Sequence, residues 1–539
     1  AIVGAGIIGI PYAMRETGLI AGCFLILMSG ILGCKSLLLL IETAKHVDAT
    51  SYEILSETVF GTTGWVVCNA MMFFMSWGPM LSYLMLVKDT LGELLGYPGP
   101  QCLVISSLLV MLPLCLQRDM ADLAKTSRIS VLFNIGLVLI IARYSPTSSS
   151  ISDAGGLSNI LSQSTLRPQT CFVGLGIISF AFSCQHSSLI IAGSLNNPTR
   201  VRWSRVAIAA LTFCSILALI MGAYGYIGFL DETQGNILRN FPLPYEVSDP
   251  RDLISAKAAN VARGLVCATM FCVYPLESFV ARHVVMTNLF QGREAHEGDD
   301  HVVLDRWDRR WATTIALYLC ALFPALYFDN VGIVLALTGT VAATTLTYIG
   351  PGILFIGVHG QEFLDLVESW GDSPGFFDRL LWYLIFMPFW CQIAKFGKKG
   401  LLLDQRKKEF MTPANEYRLG SVRHTREMIR QHKQRRSRDN VLGGDDVCQP
   451  ESEILLNEAE KTSAELGLIT ATAEKSISYG SVSNLSKGSE FQREVVETDH
   501  EGEDPQDEKQ TAADFAVAII FVFIGAVAFT AGIISIYMK

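Results

Sequence analysis

The chain has 539 residues, half of them apolar, with 42 Lys and Arg against 51 Asp and Glu for a net charge of −9. Positive mean hydropathy and repeated uncharged apolar runs of about 20 residues exclude an ordinary soluble domain, whose helices alternate an apolar with a polar face. The 13 cysteines are widely spaced and mostly inside apolar runs, which excludes a disulfide scaffold; Cys23, Cys34, Cys68, Cys214, Cys267 and Cys272 read as small hydrophobes.

The first element, Ala1-Ile2-Val3-Gly4-Ala5-Gly6-Ile7-Ile8-Gly9-Ile10-Pro11-Tyr12-Ala13-Met14, is apolar throughout yet carries three glycines and a proline. In a helix interior glycine costs about 1 kcal/mol relative to alanine and proline about 3. Two readings fit that spacing: close small-residue helix packing, or a broken helix whose freed backbone groups point at a solute. After a short turn, Arg15-Glu16-Thr17-Gly18, residues 19–41 form the second span, with Lys35 deep in it, either snorkelling to an interface or facing a cavity.

Residues 42–64 read as a polar connector, in which Ser51-Tyr52-Glu53-Ile54 leads into an amphipathic turn. Residues 65–88 form the third span with Gly78-Pro79 as an internal break, 102–116 a short fourth and 129–142 the fifth. A connector rich in Ser, Pro and Gly, 143–169, precedes the sixth span at 171–192 and the polar run Asn196-Asn197-Pro198-Thr199. Further spans follow at 206–229, 258–281, 312–328 and 331–358, and a clean last one at 514–537. That makes about eleven transmembrane helices in an all-α integral membrane protein. Residues 380–394 are too short to cross comfortably and are interrupted by Pro388, so 359–394 reads as a connector with an interfacial helix. Residues 395–513 are polar, basic at first and then acidic and serine-rich, and read as a disordered cytosolic insert. Its basic run from Arg423 to Arg438 reads as a solvated face or as a contact for anionic lipid; no fold around it presents it to nucleic acid.

Basic residues in short loops set the orientation. Arg118, Lys125 and Arg128, then Arg200, Arg202 and Arg205, then Arg306, Arg309 and Arg310 fall on one side, the cytosol, when eleven spans begin there. The loops 92–101, 143–169 and 231–257 then face the lumen or exterior; none holds an Asn-x-Ser/Thr acceptor. No enzyme constellation appears: the nine histidines are scattered, no Cys/His pair has zinc spacing, and the glycines of the first span match a nucleotide loop by count alone.

Eleven spans suit a transporter built from two inverted five-helix repeats, in which the first helix of each repeat is broken near the midplane. Helix 6, the mate of helix 1, carries Gly174-Leu175-Gly176 and then Ser179-Phe180-Ala181-Phe182-Ser183-Cys184-Gln185-His186-Ser187-Ser188. Unpaired polar groups are costly in hydrocarbon, so this cluster faces a cavity or satisfies its hydroxyls within the helix.

The segment Gly4-Ala5-Gly6-Ile7-Ile8-Gly9-Ile10-Pro11-Tyr12-Ala13 resembles the first-helix signature of the amino acid/auxin permease family, which includes the neutral amino acid transporters of animals and the vacuolar amino acid transporters of fungi. Phe180-Ala181-Phe182-Ser183-Cys184-Gln185-His186 resembles its sixth helix, and Tyr274-Pro275-Leu276-Glu277-Ser278-Phe279-Val280-Ala281-Arg282 its eighth. In the family the signature follows an asparagine and a few small residues, so a cytosolic tail and the first turn of helix 1 are expected to precede Ala1. The resemblance implies that unwound parts of helices 1 and 6 hold the carboxylate and ammonium of an amino acid. That implicates Gly4, Ala5, Gly6 and Gly9, and Ser179, Phe180, Ala181 and Phe182. His186 joins them as a gate or pH-responsive group, or else as a packed structural histidine. In sodium-coupled relatives a helix 8 hydroxyl and helix 1 backbone hold the ion, which makes Thr269 the candidate sodium ligand. Glu277 is expected to pair with Arg282, about one turn away, with a proton relay as its alternative role.

The expectation is secondary active transport of amino acids, neutral ones favoured, coupled to a sodium ion or proton by alternating access, with no other cofactor. The expected partners are the amino acid, membrane lipid and a cytosolic regulatory protein at 395–513. The expected location is the vacuolar or lysosomal membrane or the plasma membrane. The rival reading is a membrane amino acid sensor that transports little, and a channel is disfavoured because no filter repeat or charged ring is present.

Overall fold

The computed structural model describes residues 4–116, 124–164, 166–193, 200–248, 250–290, 307–371, 388–410 and 512–538. Among these every regular element is helical. The chain divides into two units, Ala1–Leu401 with Lys509–Lys539, and Leu402–Glu508. The spans all belong to the first. The Asn196-Asn197-Pro198-Thr199 run, Arg118, Arg306, residues 380–387 and residues 411–511 of the expected insert lie outside the described residues.

Helix α1 (Ala5–Thr17) is followed by a turn reduced to Gly18, whose φ of 91° is in the region that favours glycine, and α2 (Leu19–His46) starts at once. Exposed Ile20, Phe24, Leu27 and Ile31 recur at helical spacing along α2 and give it a lipid face. Lys35 is exposed, on the outside of the bundle.

The polar connector expected before the third span is instead the start of one long element, α3 (Tyr52–Leu95), capped by the Ser51 side chain and kinked at Gly61. There φ is 64° and ψ −153°, and a Cβ would meet nothing within 4 Å, so the backbone alone demands glycine. Gly78-Pro79, expected as a break, keeps helical geometry. Its glycine serves contact instead, because the Thr338 side chain fills the space where a Cβ would stand.

The fourth span is α4 (Gly99–Ser106), a π-helical turn Ser107–Met111 and α5 (Leu112–Cys115), and the fifth is α6 (Ala124–Tyr144). The serine-rich connector folds into two short helices, α7 (Thr147–Asp153) and α8 (Leu157–Gln163). The sixth span is broken: α9 (Cys171–Phe182) ends, Ser183 and Cys184 leave the helix, and α10 (Gln185–Gly193) resumes. Then come α11 (Arg200–Phe229), α12 (Pro250–Phe290) and α13 (Trp307–Tyr327). The tenth span runs through α14 (Val331–Thr338), two π-helical turns at Gly339–Ala343 and Thr345–Ile349, and α15 (Gly350–Val358).

Two helices at the predicted inner end, α16 (Gly360–Gly371) and α17 (Pro388–Phe410), precede the last span, α18 (Ala512–Tyr537). The expected start of a disordered insert at Lys395 is corrected by α17. Trp390, Ile393 and Ala394 of that helix pack in a satellite core with Phe355, Phe363 and Phe515, and Gly397 lets it approach the Gly357 backbone closely.

Among the described residues eight helices are long and apolar enough to cross a membrane, and Gly99–Cys115 is a shorter apolar one. With α1 and α13 the described spans number eleven. Five spans per repeat reverse the direction of the second repeat, and the mates pack together: α1 lies on α9, and α3 on α12. Without a hydrophobic drive between helices in lipid, small residues permit the approach. A Cβ on Gly174 would be 2.7 Å from the Ala13 carbonyl oxygen, and one on Gly176 2.8 Å from that of Ala336.

Candidate functional site

Gly4 ends the helical path of α1 with φ −136° and ψ −130°, and no side chain caps the first turn. Ala5 opens the helix, which is then continuous to Thr17 with Pro11 inside it. The glycine row faces protein. A Cβ on Gly4 would be 2.8 Å from the Tyr83 hydroxyl, one on Gly6 2.8 Å from the Ala181 Cβ, and one on Gly9 2.8 Å from Leu335 Cδ1. The glycines thus pack helices closely, and they bring the uncapped start of α1 against the end of α9.

On the α9 side, Ser179, Phe180, Ala181 and Phe182 are all buried and form the last helical turn, not the unwound segment, which lies at Ser183 and Cys184. Phe182 reaches α2 near Gly30 and Gly33. Amides at the start of a helix carry partial positive charge and unpaired donors, and carbonyls at its end carry the complement. The two ends meeting at Gly6 and Ala181 thus offer both signs that a zwitterion presents.

The break itself is plugged by side chains. Gln185 Oε1 accepts from the Cys184 amide at 2.9 Å and from the Thr347 hydroxyl at 2.8 Å, and Gln185 Nε2 donates to Ser36 Oγ at 3.3 Å. Thr347 Oγ1 also stands within hydrogen-bond distance of Ser183 Oγ, 3.0 Å away. Thr347 lies in the second π-helical turn of the tenth span, a local widening often found at functional sites.

His186, in the first turn of α10, stands with Nε2 3.6 Å from Glu277 Oε2 of α12, both side chains buried. This corrects the expected pairing of Glu277 with Arg282. Arg282 instead donates from Nη1 to the Cys115 carbonyl at 2.7 Å and to the Thr314 hydroxyl at 3.2 Å, because their positions on α12 point them to different neighbours. Thr269 is buried, and its hydroxyl donates to the Leu265 carbonyl of its own helix at 2.8 Å. Helix α12 packs chiefly against α3 and α6, so Thr269 is not gathered with the glycines of α1.

At the predicted outer end a polar network covers the bundle. Arg263, 1% exposed, donates to Glu93 at 2.7 Å and to the carbonyls of Leu238 and Phe241. Arg239 pairs with Asp89 at 2.7 Å, and Lys88 with Asp329 at 3.0 Å. The hydrogen bond from Lys88 holds the Asp329 carboxyl below the usual carboxylate range. A cavity of about 390 Å³ lined by Tyr12, Arg15, Asn236, Arg239, Asp329 and Asn330 opens among them. Sequence reasoning missed this network; charged residues within or at the ends of spans, Lys88, Asp89 and Arg263, were its signal.

The profile described as transmembrane amino acid transporter protein matches residues 1–387. The chain belongs to that family. Among relatives, the protein named putative sodium-coupled neutral amino acid transporter 11 in Danio rerio is 27% identical over 67% of this chain and 78% of its own length. The Rattus norvegicus protein of the same name is 29% identical over 66% and 75%. Vacuolar amino acid transporter 2 of Saccharomyces cerevisiae is 26% identical over 65% and 72%. A manganese transporter of Eremococcus coleocola, in a single-site mutant form, covers 75% of this chain and 92% of its own at 13% identity and a TM-score of 0.41. This member of the transmembrane amino acid transporter family is an integral membrane transporter and not an enzyme.

Proposed function

We propose that the chain carries amino acids, neutral ones foremost, by alternating access, driven by a sodium or proton gradient across a vacuolar, lysosomal or plasma membrane. The observation that carries this reading is the meeting of the uncapped first turn of α1, at Gly4 and Gly6, with the last turn of α9 at Ala181. The substrate carboxylate takes the free amides of Gly4, Ala5 and Gly6, and the ammonium takes carbonyls between Ser179 and Phe182, the pattern of broken-helix transporters. Gly9 keeps the two helices close, His186 borders the break, and Thr269 is the hydroxyl candidate for a sodium ion. Relatives named as sodium-coupled and as vacuolar amino acid transporters support the substrate class.

In this conformation the arginine-anchored loop covers the predicted outer end, and the Gln185–Thr347 plug seals the break from the inner half. The test is uptake of radiolabelled alanine, leucine and glutamine into proteoliposomes under an imposed sodium or proton gradient. Accumulation driven by either supports the reading. Binding of these amino acids without flux under either gradient replaces it with a sensor.

A further inference from the structure

Resting on the transport reading above, we infer that the buried His186–Glu277 pair is the proton-binding site through which a pH gradient drives transport. The pair joins two parts that must separate if the sixth span rearranges: α10, the half-helix beyond the break, and α12, which is packed along α3 and α6. His186 Nε2 and Glu277 Oε2 are 3.6 Å apart, too far for a hydrogen bond. His186 Nδ1 and Glu277 Oε2 are both buried without a hydrogen-bond partner. Unpaired polar atoms on both members of a buried acid–base couple have no packing purpose, since buried polar groups are normally satisfied.

With neutral imidazole and ionised carboxylate the couple carries one negative charge inside the bundle. One proton between them removes that charge and lets the two close into a charge-assisted hydrogen bond. The loaded pair holds α10 to α12; the empty pair exposes a carboxylate that is stabilised by water entry, and so favours opening. Proton and amino acid then share one conformational equilibrium, because the substrate occupies the other side of the same break.

The other titratable groups around the pair fit this arrangement. Tyr83 of α3, whose hydroxyl abuts Gly4, lies within electrostatic reach of Glu277. On α12, Arg282 is directed to Cys115 and Thr314, and His283 stands 3.5 Å from Glu53 of α3. That second His–Glu couple, half-buried on the histidine side, sits six residues further along α12, about 9 Å toward the predicted cytosolic end. From α2, Cys34 is partly buried and Lys35 is exposed on the outside of the bundle; from the tenth span, Tyr348 stacks on Phe521 of α18.

The experiment uses the full chain in sodium-free proteoliposomes with an entrapped pH dye and the radiolabelled amino acid best exchanged by the wild type. Counterflow at equal pH measures exchange alone. An imposed acid-outside gradient measures coupled accumulation and proton entry together. The wild type is expected to accumulate the amino acid and acidify the lumen. E277Q is expected to lose both at least ~10-fold while exchange falls by no more than about 5-fold, as for removal of a coupling site rather than of the carrier. E277D, which keeps the acid, is expected to recover accumulation, and this recovery decides the matter if E277Q loses exchange as well. Wild-type accumulation without proton entry, E277Q accumulation equal to wild type, or E277D as inactive as E277Q overturns the proposal. Absence of wild-type counterflow would instead overturn the transport reading on which it rests.

Discussion

Gly6 of α1 lies directly against Ala181 of α9: a Cβ placed on Gly6 would stand 2.8 Å from the Ala181 Cβ and 2.9 Å from its Cα. The second atom is backbone, so rotamer adjustment cannot relieve the contact. Gly6→Ala is expected to cost about 1–3 kcal/mol as an overpacked contact, and Gly6→Val to abolish uptake while the protein still reaches the membrane. Ala181→Gly removes the Cβ but not the Cα, so the double variant Gly6→Ala/Ala181→Gly should recover part of the loss. Thermal unfolding of the four proteins in a double-mutant cycle measures the coupling. An additive double variant would mean that the helices do not meet here.

The plug at the break gives a second expectation. The Thr347 hydroxyl donates to Gln185 Oε1 and shares a hydrogen bond with the Ser183 hydroxyl across the junction between the sixth and tenth spans. Thr347→Val keeps the shape and removes the donor, leaving a buried amide oxygen short of a partner, at a cost of about 1–3 kcal/mol. The tenth span then no longer fastens the broken segment, and the inner half should open more readily. Cys184 beside the plug is the reporter: its labelling by a membrane-impermeant maleimide from the predicted cytosolic side is expected to rise in Thr347→Val. Unchanged labelling would show that the network is not a seal.

What the sequence made legible was set by range along the chain. Runs of apolar residues place all eleven spans, because each span is a local property of some 20 residues. The break of the sixth span was also foreseeable, displaced by a few residues: Ser179 to Phe182 stay helical, and the chain leaves the helix at Ser183. Gly78-Pro79 carries the same local signal without a break, since Thr338 from a distant span occupies the space that glycine leaves. The partner of Glu277 was out of reach for the same reason. Arg282 is close in sequence, whereas His186 comes within 3.6 Å only when the two repeats fold together. The pairs Arg239–Asp89 and Arg263–Glu93 join residues 150 and 170 positions apart, and no periodicity announces them.

Those arginines lead to a third expectation. Arg263 is almost wholly buried and ties the Leu238 and Phe241 carbonyls of the loop between the seventh and eighth spans to Glu93 of α3. Removing Arg263 leaves two loop carbonyls and the partly exposed Glu93 without their donor, at a cost of about 1–3 kcal/mol. Arg263→Met should release the loop, so that protease added at the predicted outer side cuts between Leu230 and Phe241 faster than in wild type. Glu93→Gln keeps the carbonyl contacts and should have a smaller effect. Equal cutting in wild type and Arg263→Met would show that the loop is held by other contacts.

The last expectation concerns pH at the predicted inner end, where His359 follows α15. Its ring lies 4.6 Å from that of His46 and 4.7 Å from that of Phe355, and both ring nitrogens lack hydrogen-bond partners. Burial first, and then the neighbouring His46, push its pKa below the ordinary 6.5, with Glu362 3.6 Å away and Asp514 opposing the shift only in part. The neutral ring is therefore the form the fold prefers, and the unfolded chain binds the proton more readily. Stability from this group is complete above about 6.5 and is lost as pH falls through that value toward the lower folded-state pKa. Thermal unfolding in detergent should accordingly shift to lower temperature as the pH is brought from neutral to mildly acidic. His359→Phe keeps an aromatic ring against Phe355 but cannot take a proton, so it should flatten that slope while His46 stays in place. A slope unchanged in His359→Phe would place the pH sensitivity elsewhere, and the His283–Glu53 couple would be the next to test.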